Sequence, residues 1–256
     1  MIDERAVIDP AARLGSDVRV GPFTVIGPDV EIGDGTEIDA HVVIKGPTRI
    51  GRDNRIFSFA SIGQEPQDKK YAGEPTKLEI GDRNVIRECC TINRGTVQDV
   101  GVTRIGNDNW IMAYVHVAHD CQIGSNTIFA NNASLAGHVT VGDYAILGGF
   151  TLVHQFCVIG AHCFTGMGSV IAKDVPPYVM IAGHPVKPHG LNAEGLKRRG
   201  FSPETLRALR QAYKTIYRAG HTAEEAVAIL AEPAAAHPEV AALRDFLSQS
   251  TRGIVR

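Results

Sequence analysis

An aliphatic residue recurs at every sixth position of this 256-residue chain. The series runs Ile2, Ile8, Leu14, Val20, Ile26, Ile32, Ile38, Ile44, Ile50, Ile56 and Ile62. It resumes at Ile80, Ile86 and Ile92, and again from Ile105 through Ile111, Val117, Ile123, Phe129, Leu135, Val141, Leu147, Val153, Ile159, Thr165 and Ile171. Among these 26 positions only Thr165 is polar, although hydrophobic residues make up just 44% of the chain. A period of six suits neither a helix nor a half-buried strand. It is the period of a parallel β-helix of hexapeptide repeats. Each hexad supplies a short strand and a turn, and three hexads close a triangular coil whose aliphatic residues point inward. Neighbouring coils pair as parallel strands ~4.8 Å apart, so about nine coils give a prism on the order of 40 Å long. Glycine commonly follows the aliphatic residue, as at Gly15, Gly33, Gly51 and Gly142, which tight corners favour.

The repeat breaks twice, at residues 63–79 and 93–104, both polar and rich in turn residues. Insertions in a solenoid leave it as surface loops, and long loops in compact domains are often functional. The period ends near Asp174-Val175-Pro176-Pro177, where paired prolines stop a ladder. Helical signals follow: Ser202-Pro203 as N-cap and N1, then Leu206, Leu209, Ala212, Tyr213 and Ile216 at helical spacing. Thr222-Ala-Glu-Glu225 reads as a capping box, and a last helix is expected from about Glu239 to Ser248. The expected division is a mainly-β solenoid over 1–188 and a small α-helical domain of three or four helices over 189–256.

A net charge of −2 argues against general binding to nucleic acid or membrane surfaces. The balance is uneven. From residue 187 onward there are 11 Lys/Arg and 7 Asp/Glu, so a basic end follows an acidic solenoid and points to an anionic ligand or partner near the join. No stretch has signal-peptide or membrane-span character. Five cysteines without CxxC spacing imply a reduced, cytoplasmic setting with neither disulfides nor a cysteine metal site. The exposed flat faces of a prism call for side-by-side packing, hence a homo-oligomer whose number the period leaves open.

Residues 18 apart share an edge. Val117, Leu135 and Val153 stack, and just after them come His119, His138 and His154, expected in a rough line along one edge, with His116 at its approach. Neutral histidine is the usual general base near pH 7. Three histidines can also hold zinc, and the spacing leaves both readings open. Asp120 is placed to orient a base. Gln67, Asp68 and Lys70 lie in the first loop, and Lys197-Arg198-Arg199 is a basic run at the domain junction, suited to phosphate.

The segments VHVAHDC (115–121), NNASLAGHVTVGDYAILGG (131–149), VHQFCVIGAH (153–162), QDKKYAGEPT (67–76) and NAEGLKRRGF (192–201) resemble the UDP-N-acetylglucosamine O-acyltransferases, which begin lipid A biosynthesis. The resemblance runs through the final STRGIVR. It implies a left-handed β-helix, a homotrimer with active sites between prisms, and transfer of an (R)-3-hydroxyacyl group from acyl carrier protein to the 3-OH of UDP-N-acetylglucosamine. By the same resemblance His119 is the base, Asp120 its support and the Gly137 amide the oxyanion donor. His116, His138, His154 and Gln155 position sugar and acyl group. Gln67, Asp68 and Lys70 reach the sugar nucleotide, and Asn192, Glu194, Arg198 and Arg199 handle the nucleotide and its phosphates, Arg199 from the adjacent subunit. No metal or bound cofactor is implied. Met167 stands where relatives that prefer long acyl chains carry glycine, which implies a steric stop and a donor of about ten carbons. Asn93 departs from the TIHRGT that many relatives read there, which puts in doubt a substrate contact at that position. The rival class is a metal-dependent β-helix enzyme of the γ-carbonic anhydrase type. It leaves the helical domain and the NAEGLKRRGF junction without explanation.

Overall fold

The computed structural model describes residues 1–256 as a left-handed parallel β-helix closed by four helices. Three sheets of nine, eight and ten short strands form the faces of the prism. Successive strands on a face are three apart in sequence, and the hexad residues pair with one another: Ile8 with Ile26, Ile26 with Ile44, Val117 with Leu135, Leu135 with Val153. These side chains form one continuous apolar core along the prism. Burying each is worth about 1.5–3 kcal/mol. The one polar hexad residue is accommodated by pairing. Thr165, fully buried, meets the Thr151 hydroxyl at 2.7 Å and accepts the Gly148 amide at 2.9 Å. The Asn54, Asn84 and Asn109 side chains likewise form a buried ladder that ends on Thr127.

Most corners turn at the third residue after the hexad position. There the backbone takes positive φ in non-glycine residues such as Asp17, His41, Tyr114, Asp120, His138 and Phe156. The glycines that follow the aliphatic residues therefore do not supply the turn, contrary to the sequence expectation. Their role is packing. A Cβ on Gly33 would lie 2.7 Å from the Gly51 backbone, and one on Gly51 would lie 2.7 Å from the Gly81 carbonyl oxygen. Stacked glycines let coils close at strand spacing.

The prolines at 176–177 do not end the ladder either. Val175 still bridges to Ile159, and the strand Val179–Gly183 pairs in parallel with Phe164–Thr165 before turning back into Val186–Leu191. Helical structure starts at Ala193, a few residues beyond the expected boundary. The helices are α1 (Ala193–Arg198), α2 (Pro203–Tyr217), α3 (Ala223–Ala236) and α4 (Pro238–Gln249). Ser202 caps α2 through the Thr205 amide, and Thr222 and Glu225 form the capping box of α3. A second apolar cluster built on Leu209, Leu230 and Leu243 holds the helices together.

Candidate active site

The corner after the strand His116–Val117 gathers the chemistry. The register places His119 in line with Gly137 and Gln155, and Asp120 in line with His138 and Phe156. Asp120 and His138 both occupy the positive-φ turn position, at 59° and 64°, which Asp and His tolerate better than most residues.

Asp120 is 1% exposed. Its Oδ2 meets His119 Nδ1 at 2.9 Å and accepts the Thr96 hydroxyl at 2.6 Å, and the Thr96 amide lies 3.0 Å from both carboxylate oxygens. Burial alone would raise its pKa. The hydrogen bonds from His119 and Thr96, with the charge of His138, outweigh burial and hold the group below the ordinary carboxylate value. A carboxylate can only accept, so it fixes the proton of His119 on Nδ1 and leaves Nε2 with a free lone pair.

The His119 ring lies flat against the next coil. A Cβ on Gly137 would sit 2.5 Å from His119 Cε1 and 2.7 Å from Nε2, so only glycine admits the imidazole there. The Gly137 amide makes no hydrogen bond within the chain. Amides at this corner position are free in several coils. Gly137 differs in having the His119 ring against it.

His138 sits edge-on to His119, ring centroids 4.9 Å apart, and stacks on Phe156 at 4.3 Å. Its Nδ1 is 2.6 Å from Asp99 Oδ2 and 3.9 Å from Asp120 Oδ2. Asp99 belongs to the second loop, 39 residues away in sequence, and no spacing in the chain announces the contact. His116 adjoins the group, with Nδ1 2.7 Å from the Thr91 hydroxyl; burial, and after it the nearby His119, lowers its pKa. His154 stands directly after its hexad residue Val153, at the strand end before the turn. It is exposed, in register with Ala118 and Ala136, with Nδ1 near the Gln155 carbonyl and Arg252. The ligand atoms of His119, Asp120 and His138 lie within 4.8 Å of one another.

The first loop carries Gln67 and Lys70 exposed and Asp68 half-buried, with Asp68 accepting the Lys70 amide at 3.0 Å. Two residues pin this loop, of which Arg94 was missed at sequence level. Arg94, 6% exposed, donates to the Gly46 and Gly63 carbonyls and to the Tyr71 hydroxyl. Asn93 donates to the Glu65 carbonyl at 2.7 Å, so the departure at this position has a structural use. At the domain join Asn192 caps α1 and bonds the His162 carbonyl, Glu194 pairs with Lys197, and Arg198 is exposed. The Arg199 guanidinium lies over the Tyr144 ring at 5.1 Å. None of these four is bonded to the His119 group within one chain. Met167, 83% exposed, lies on a different edge, one that also bears the exposed rings of Phe23, Phe59, Tyr114 and Phe150. The group around His119 is an open edge. A cavity of about 370 Å³ lies toward the N-terminal coils, between Arg13, Glu31, Arg49 and Lys77, and is lined by none of the histidines.

Two family models match the chain: "Udp N-acetylglucosamine O-acyltransferase; Domain 2" over residues 174–255, and the bacterial transferase hexapeptide over 11–46 and 103–137. An acyl-[acyl-carrier-protein]--UDP-N-acetylglucosamine O-acyltransferase of Thiobacillus denitrificans is 65% identical over 255 residues, covering 100% of this chain and 99% of its own. Its counterpart from Stutzerimonas stutzeri is 62% identical, with the same coverage. Among solved structures, LpxA from Acinetobacter baumannii superposes with a TM-score of 0.98 at 50% identity, covering 100% of this chain and 99% of that one.

Proposed function

The chain belongs to the UDP-N-acetylglucosamine O-acyltransferase family of lipid A biosynthesis, and we propose that His119 is the general base of its transfer reaction. Acyl carrier protein presents an (R)-3-hydroxyacyl thioester, and UDP-N-acetylglucosamine presents its 3-OH. His119 Nε2 takes the hydroxyl proton as that oxygen attacks the thioester carbonyl. Negative charge moves onto the carbonyl oxygen, where the free Gly137 amide stabilises it. Collapse breaks the C–S bond, and the imidazolium returns the proton to the departing thiolate. The buried Asp120 carboxylate holds the ring and balances its transient charge. The observation that carries this reading is the His119 ring, held on one side by a buried anion and lying on the other against an unbonded amide.

His116, His138, His154 and Gln155 then position sugar and acyl group, with Gln67, Asp68 and Lys70 reaching the sugar nucleotide. Asn192, Glu194, Arg198 and Arg199 handle the nucleotide and its phosphates, and the basic helical end receives the acidic carrier protein. We read the assembly as a homotrimer. The exposed aromatic edge of Phe23, Phe59, Tyr114 and Phe150 supports this, since a column of such rings is costly in water. Met167 shares that edge, so it would limit the acyl chain across a neighbouring prism or the intervening face, and favour a donor of about ten carbons. A cytoplasmic location accords with five free cysteines, four of them buried. No helix is long and apolar enough to cross a membrane.

Mass spectrometry of the product formed from UDP-N-acetylglucosamine and mixed hydroxyacyl carrier proteins tests the reaction. An alkali-labile ester is expected; an alkali-stable amide would overturn the 3-OH assignment. His119→Ala is expected to lower kcat about 1,000-fold with the fold retained, and near-normal turnover would remove His119 as base. Met167→Gly is expected to lengthen the preferred donor; an unchanged preference rejects the steric stop.

A further inference from the structure

The site holds two imidazoles and one buried carboxylate. His119 Nδ1 and His138 Nδ1 lie 2.9 and 3.9 Å from the same atom, Asp120 Oδ2. Left alone, the two rings compete for it. The second loop supplies what separates them. Thr96 grips Asp120 through its amide and hydroxyl, and three residues on, Asp99 places Oδ2 2.6 Å from His138 Nδ1. The Asp99 amide turns back onto the Thr96 carbonyl, so one short turn addresses both acids and, through them, both rings. Each histidine thereby has its own carboxylate. His138 is further fixed by Phe156 stacked on its face, and its side chain is 12% exposed against 41% for Asp99.

We propose that Asp99 is a positioning residue for acyl transfer: it holds the His138 proton on Nδ1, presents Nε2 to substrate as an acceptor, and keeps Asp120 free to serve His119. The inference rests on the reading that His138 faces substrate. Asp99 itself touches no reacting atom. It acts as the loop's contribution to a second histidine–carboxylate pair one coil from the first, and loss of such an orienting partner typically costs about 10-fold or more. The assignment also gives the 93–104 insertion a function beyond covering the prism, because its turn connects the two rings to one element.

The test combines kinetics with ¹⁵N-histidine NMR of the full chain. In the unaltered protein the His138 ring should show a protonated, slowly exchanging Nδ1. Asp99→Ala should abolish that signature and lower kcat/KM about 10-fold, while the thermal midpoint, which reports folding, stays close to that of the parent. Asp99→Glu should recover part of both signals. An unchanged His138 spectrum or unchanged kcat/KM in Asp99→Ala overturns the proposal. A double-mutant cycle separates it from the reading beneath it. If Asp99 works through His138, Asp99→Ala has no further effect in a His138→Ala background; a persisting effect refutes the link. If His138→Ala alone leaves kcat and KM unaltered, substrate contact by His138 is what fails.

Discussion

Two of the three corners that turn on a histidine at positive φ, those at His138 and His162, share backbone and stacking but differ in the charges that meet the ring. At the first, His138 stacks on Phe156 and has carboxylates 2.6 and 3.9 Å from Nδ1. At the second, His162 lies between Tyr144 and Tyr178, with ring centroids 4.8 and 5.7 Å away, and meets Phe201 edge-on. Its Nδ1 is buried without a partner, and the charges acting on it are those of Arg199 and Asp143. Burial, and after it the Arg199 charge, push His162 down to about 4 from an ordinary 6.5, with Asp143 offsetting only part. Backbone and stacking are alike. The difference comes from what reaches the corner from outside the repeat: an acidic loop turn in one case, a cationic helix end in the other. The coil itself contributes Asp120 and Asp143, and the insertions and the terminal domain add the charges that set the two corners apart.

Removing the carboxylate at the first corner should erase the contrast most completely. Asp120→Ala leaves the buried Thr96 amide and hydroxyl without their acceptor, at about 1–3 kcal/mol for each unsatisfied group, and frees His119 to rotate. Turnover should fall about 100-fold or more, measured beside urea-unfolding midpoints. Activity close to that of the parent would mean that Asp120 serves the fold alone. Acid sensitivity follows from the same residue. Its pKa is depressed in the folded state, so its stabilisation is complete above the ordinary carboxylate value. It is lost as pH falls through the lowered folded value.

A smaller but cleaner effect is expected at Gly137. An alanine Cβ 2.5 Å from His119 Cε1 must displace the ring, and a misplacement of about 1 Å can cost about 100-fold. Gly149→Ala is the control two corners further on, where the nearest atom is the Asn131 carbonyl oxygen at 3.4 Å. Equal rates for the two alanine variants would deny any special role to the close approach.

The least effect on rate, and the sharpest view of the second corner, should come from His162→Phe. Between pH 6.5 and about 4 the unfolded chain protonates this histidine while the folded chain keeps it neutral. Acidification through that window therefore favours unfolding, and above it the penalty is absent. The phenylalanine variant should lose less stability between pH 6.5 and 4.5 than the parent, with some slope remaining from His116, whose pKa is shifted the same way. Parallel stability profiles would show that His162 does not titrate as its surroundings dictate.

The hexad period made the inward residues and the coil register legible, because burial repeats with the backbone. It also placed His119, Asp120 and His138 near one edge. Asp99 was invisible because its contact spans a non-repeating loop, where distance along the chain says nothing about distance in space. Arg94 and the loop contact of Asn93 were hidden for the same reason: both bond backbone carbonyls, which carry no signature in a sequence. The glycine columns were misread because a tight turn and a close approach call for the same residue.

The six-residue register makes this protein sensitive to length in an unusual way. Removing one whole hexad from the middle of the solenoid would keep every later aliphatic residue pointing inward. It would also rotate all following coils by a third of a turn. Between residues 123 and 134 such a deletion would swing Gly137 and His138 to another edge, away from His119, while the apolar filling stayed intact. Three hexads could be lost with phase preserved; one could not. The chain thus has a reading frame in three dimensions, in which a well-packed product can still be out of frame for chemistry.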